Sequence, residues 1–167
     1  MHQLRDTPGD SEAALRRQLE DVAGPGAVYV IGLGNADRAD DGAGVLVAEA
    51  LRRRHPDRAF SEHDGAEGVV LDIAEREGDA TVIFVDAANM DGAPGDVRVV
   101  DHRDLRETEV TTHRVAVALM ASLLERAGKK SAVVCIKPQT VEFRGSLSEP
   151  VRESVELVTR VLGEMIR

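Results

Sequence analysis

Val28-Tyr-Val-Ile-Gly-Leu-Gly-Asn35, continued by Ala36-Asp-Arg-Ala-Asp-Asp-Gly-Ala-Gly44, reads as a buried strand, a glycine-bearing turn and two adjacent aspartates at the mouth of a helix. A phosphate-binding loop at this place would offer backbone N–H groups and keep acids away. Here Asp40 and Asp41 stand where a phosphate would sit, so the loop is suited to holding a cation or placing a carboxylate. Gly32 and Gly34 supply two glycines of G-x-G-x-x-G, but Asp37 occupies the third position and two more acids follow, which argues against a dinucleotide pyrophosphate. The two glycines are expected to allow a tight turn and the close approach of a ligand or another chain. Asn35 is expected either to bond turn amides or to tolerate a left-handed conformation.

The pattern around this stretch alternates. The spacing predicts a helix over Ser11–Ala23, with Leu15, Leu19 and Val22 on one stripe, then the strand Val28–Leu33 and a helix over Gly44–Arg54. Arg52, Arg53 and Arg54 suit the negative end of that helix and read as a solvated terminus. A short strand near Ala59–Glu62, the turn His63-Asp64-Gly65 and a helix over Gly68–Glu77 follow. Ala80–Asp86 is a continuous apolar run ending in an acid, as expected of a strand covered on both faces. Beyond a loop at Asn89–Gly95, the sequence predicts a strand over Asp96–Val100, a helix from His113 to Ala127 stopped by Gly128, a strand over Ala132–Ile136, and a helix from Ser148 to Ile166 with Ser148 as N-cap. This order predicts an α/β fold, a three-layer sandwich around a mainly parallel, twisted sheet of about five strands. Residues 1–27 are read as an N-terminal tail and an additional helix, and 28–167 as a single α/β domain.

The 167 residues carry a formal net charge of −9, one Tyr, three Phe and no Trp. The core must be built from Val, Leu, Ile and Ala, and the acidic balance argues against nucleic acid as a partner. No apolar run approaches the roughly 20 residues that span a bilayer, and residues 1–10 lack an apolar signal-peptide core. The chain is therefore read as cytoplasmic, without a membrane partner. The single cysteine, Cys135, excludes an internal disulfide and a multi-cysteine zinc site; it reads as a buried strand residue.

In open α/β sheets ligands bind beyond the C-terminal ends of the strands. Asp40 and Asp41 follow the first strand, Asp86 closes the second long one, and His113 opens the helix after the fourth. Two carboxylates and an imidazole at one edge form an O,O,N set fit for a borderline divalent metal, or for acid–base hydrolysis. The bland alternatives are an acid in the first turn of a helix for Asp40 and Asp41, a turn-binding strand end for Asp86 and a surface histidine for His113.

These residues resemble the hydrogenase maturation endopeptidases, nickel-dependent peptidases that finish the large subunit of [NiFe] hydrogenases. The resemblance is carried by Gly32-Leu-Gly34-Asn35 with Asp40-Asp41-Gly42-Ala-Gly44, by His63-Asp64-Gly65 with Gly68, by Val82–Ala87, by Thr112-His113 and by Ile136-Lys-Pro138-Gln-Thr-Val-Glu142-Phe. It covers nearly all of 28–166. It implies a twisted sheet flanked by helices and three metal-contacting, catalytic positions: Asp41, Asp86 and His113. It also implies that the metal is nickel supplied by the substrate precursor rather than a resident cofactor. The partner implied is the large-subunit precursor, from which a short C-terminal extension is removed. The residues themselves leave two alternatives open: a metallohydrolase with its own divalent metal at the same three positions, and a binding or chaperone-like module that docks without cutting.

Overall fold

The computed structural model describes residues 8–107 and 112–166, with side chains described at these positions except 8–10, 105–107 and 112–115. The elements are α1 (Pro8–Val22), β1 (Ala27–Gly32), α2 (Ala43–Arg52), β2 (Ala59–Ser61), α3 (Ala66–Glu75), β3 (Ala80–Ala87), β4 (Val97–Val100), α4 (Thr112–Arg126), β5 (Lys130–Ile136) and α5 (Glu149–Met165). The strands form one sheet in the order β2-β1-β3-β5-β4. All neighbours are parallel except β4, which pairs antiparallel with β5. This is the expected α/β sandwich.

Two apolar layers sandwich the sheet, and strand alternation decides which residue joins which. Val28 and Val30 of β1 and Ile83 and Val85 of β3 face α1, α2 and α5, with Val47, Leu51, Val158 and Leu162. Tyr29, Ile31, Val82 and Phe84 face α3 and α4, with Val70, Ile73, Val117 and Leu124. Helices on opposite faces follow from the topology. The chain moves from β1 outward to β2, then back across β1 to β3, and a right-handed crossover in each direction needs opposite faces. The two directions part between β1 and β3, the switch point beyond whose C-terminal strand ends open α/β sheets bind their ligands.

Local differences from the expected boundaries have local causes. Helix α1 begins at Pro8, three residues before Ser11, and residues 1–7 lie outside the described residues. Leu15 and Leu19 are buried with Val97 and Val99 of β4, so this additional helix packs on the sheet; Arg16–Glu164 (2.6 Å) and Arg160–Glu12 (2.9 Å) pair it with α5. Helix α3 starts at Ala66 rather than Gly68. The turn Glu62–Asp64 before it carries its own capping box, with His63 N–H donating to the Ser61 hydroxyl and Ser61 N–H to Asp64. Asp64 also takes both short bonds from Arg52 (2.7 and 2.8 Å), so the end of α2 is tied down there rather than purely solvated. At the far end of α4, Gly128 N–H reaches the Glu125 carbonyl and Lys129 N–H the Leu124 carbonyl, a Schellman stop as expected. Cys135 is buried in β5. Among the described residues no helix is long and apolar enough to cross a membrane.

Candidate active site

The site loop is built by close backbone approach. The first turn of α2 presses onto the ends of β1 and β3: a Cβ at Gly44 would lie 2.1 Å from the Val85 carbonyl oxygen and 2.4 Å from that of Leu33. Only a residue without a side chain fits there. Gly34 has φ +122°, and a Cβ on it would meet the Asp41 carbonyl at 2.0 Å and the Asp86 carboxylate at 3.7 Å. The close approach expected of this turn is thus made by the loop's own Asp41, which the glycine lets lie against the strand end. Of the two roles expected of Asn35, the structure shows the first: its side-chain oxygen accepts from Asp37 N–H at 2.9 Å, and its φ is not left-handed.

The adjacent aspartates have separate fates, and neither side chain caps α2. Asp40 is fully buried. Its Oδ1 accepts from Ser148 N–H (2.8 Å); its Oδ2 accepts from Gln139 N–H (2.8 Å), Thr140 N–H (3.1 Å) and the Ser148 hydroxyl (2.7 Å). Burial pushes its carboxyl pKa up, but the bonds from Ser148, Gln139 and Thr140 outweigh that and hold it below the usual aspartate value. Asp40 is therefore a structural anion that straps the segment after β5 to the site loop.

Asp41 is half-buried. Its Oδ2 accepts from Asn35 N–H at 3.1 Å, and among the described residues its Oδ1 accepts no hydrogen bond. Asp86 lies near the end of β3, half-buried, on the strand face shared with Val82 and Phe84. The Asp41 backbone carbonyl and the Asp86 carboxylate thus border the same glycine at the switch point between β1 and β3. His113 is the second residue of α4, one turn before Val117, which packs in the same layer as Phe84. Its side chain lies outside the described residues.

Ser148 corrects the expectation of a helix cap. It holds the N-cap position of α5, but its side chain makes no cap bond; the hydroxyl goes to Asp40 instead. Ser148→Ala is expected to cost about 1.5 kcal/mol, the worth of one hydrogen bond to a charged group, read as a melting temperature lower by about 5 °C. A loss of helix content at α5 without that stability change would contradict this assignment. The strap itself was not legible from spacing, because its partners are 99 to 108 residues apart.

The hydrogenase maturation protease family model matches residues 45–164. The hydrogenase 3 maturation protease of Escherichia coli (strain K12) is 32% identical over 129 residues, covering 75% of this chain and 82% of that protein. The hydrogenase expression/formation protein HoxM of Azotobacter vinelandii is 28% identical over 149 residues, covering 83% of this chain and 72% of that protein. Among solved structures, the [NiFe] hydrogenase maturation protease HycI from Thermococcus kodakarensis KOD1 superposes with a TM-score of 0.74 at 30% identity, over 89% of this chain and 97% of that one.

Proposed function

The chain belongs to the hydrogenase maturation protease family and is a protease, and on that premise we propose that it removes a short C-terminal extension from the nickel-loaded large-subunit precursor of a [NiFe] hydrogenase. Asp41, Asp86 and His113 meet the nickel that the precursor brings. The observation that carries this reading is the division of labour between the adjacent acids: Asp40 is spent on the fold, while Asp41 keeps one carboxylate oxygen unbonded among the described residues, in the turn where its own backbone carbonyl and the Asp86 carboxylate both approach Gly34.

The chemistry of the set supports a metal brought by the substrate. Two carboxylates and an imidazole, with no thiolate, form a weak site for free divalent nickel, whose affinity for proteins rises with imidazole and sulfur donors. The same three groups complete the coordination of an ion already held elsewhere. The ion then orients the precursor's C-terminal segment on the strand-end edge and polarises a carbonyl or an attacking water. Nothing in this scheme needs a metal bound to the free protein.

Co-expression tests the proposal. A [NiFe] hydrogenase large subunit from the same source is produced in nickel-supplemented cells with and without this chain, and its C-terminal mass is measured. The expected result is a shorter subunit only with the chain present, and little nickel in the chain purified alone. A full-length subunit in both cases, or stoichiometric tightly held metal in the chain, overturns the reading.

A further inference from the structure

One motif is not absorbed by the metal-facing residues: the segment after β5, Pro138 to Leu147. It runs antiparallel beside the site loop. Asp40 N–H donates to the Thr140 carbonyl (3.1 Å), Arg38 Nε to the Val141 carbonyl (3.3 Å), and Arg144 N–H to the Asp37 carbonyl (2.6 Å). With the Asp40 carboxylate bonds these contacts hold the segment against the loop that carries Asp41. On its outer side two apolar side chains stand exposed, Phe143 at 68% and Val141 at 42%, alternating with the exposed charged residues Glu142 and Arg144. The Arg144 guanidinium lies 5.4 Å from the Phe143 ring centroid. Among the described residues, the non-glycine positions with left-handed φ are Ala39 (+48°) and Arg144 (+60°), one on each side of this junction. Both are backbone conformations that residues with a Cβ rarely adopt.

We propose that Val141 and Phe143 form the docking surface for the polypeptide substrate, an apolar stretch of the folded precursor next to the segment that enters the site. This rests on the function proposed above and adds which part of the enzyme reads the substrate. The occupant follows from position. A protease must bring a chain to its reacting groups, and this patch is tied by hydrogen bonds to the loop bearing one of them. Among the described residues the other large exposed apolar side chains, Leu71, Leu119 and Leu123, sit on α3 and α4 and share no such tie. An aromatic side chain anchoring a partner's apolar group, held still before binding, is the arrangement that concentrates binding energy at an interface.

The test measures processing of nickel-loaded precursor by the full chain carrying Phe143→Ser, Val141→Ser or both, with Leu71→Ser as a control and melting curves for each. In parallel, precursor binding is titrated with the Asp41→Asn chain, with and without Phe143→Ser. The expected result is a KM raised about tenfold or more for Phe143→Ser, the loss of a hot-spot side chain, with kcat within about twofold and binding weakened in parallel. The control should be unchanged. Unchanged KM and binding in the folded double variant overturn the proposal. So does a wild-type dimer that Phe143→Ser dissociates, since a second copy would then be the occupant. If wild-type chain neither binds nor processes the precursor, the proposed function fails instead, and the two failures are distinct.

Discussion

Asp41→Asn is expected to reduce precursor processing by about three orders of magnitude, which corresponds to about 4 kcal/mol of lost transition-state stabilisation, while leaving the melting temperature within a few degrees of wild type. The side chain's structural duty is a single bond, taken from Asn35 N–H on Oδ2, and an amide oxygen performs it equally well. What the amide lacks is the negative charge that, on the proposed function, would stabilise a nickel ion carried by the precursor or accept a proton from water. Rate and melting curve measured on one preparation check this. Retained activity, or a parallel loss of fold and activity, contradicts it.

Asp40→Ala is expected to do the opposite, acting first on stability. The carboxylate is wholly buried and receives three backbone N–H groups and one hydroxyl. Its removal leaves those donors without an acceptor and lets 137–148 lift from the site loop. We expect a cost of about 3–4 kcal/mol and a melting temperature lower by about 10 °C. Asp40→Asn should fall between: in either orientation its NH2 group faces at least one of the N–H donors. The pH dependence follows from the lowered pKa. A carboxyl held below its unfolded value adds stability above that value, and the addition is lost as pH falls through the folded pKa. The gap between wild type and Asp40→Ala should therefore be constant near neutrality and narrow below about pH 4. Denaturant midpoints from pH 7 to 3 measure it; a gap that widens on acidification contradicts the assignment.

These opposite expectations for neighbouring residues show what the sequence can reveal. Ala80–Asp86 and Val28–Leu33 were readable because a strand buried on both faces is apolar at nearly every position, Thr81 being the buried exception. The acid that breaks the first run pointed to the strand-end edge, where the structure places Asp86 beside Asp41's turn. The Asp40 strap was unreadable because it depends on contacts between segments about a hundred residues apart, and no local pattern encodes such a pairing. Ser148 misled for a related reason. The serine, glutamate and proline at the start of α5 mark the N-cap position correctly, but they do not say which acceptor the hydroxyl chooses. Helix α3 starts at Ala66, two residues before Gly68, because the turn capped by Ser61 and Asp64 ends on left-handed Gly65 and the helix begins directly after it.

The most direct test of the account is the intact mass of purified large-subunit precursor after incubation with the wild-type chain, with nickel-loaded and nickel-free precursor compared side by side. The account predicts a short C-terminal loss from the nickel-loaded form alone, absent with His113→Ala and with Asp86→Asn. Equal cleavage of the nickel-free form, or none of the loaded form, would contradict it.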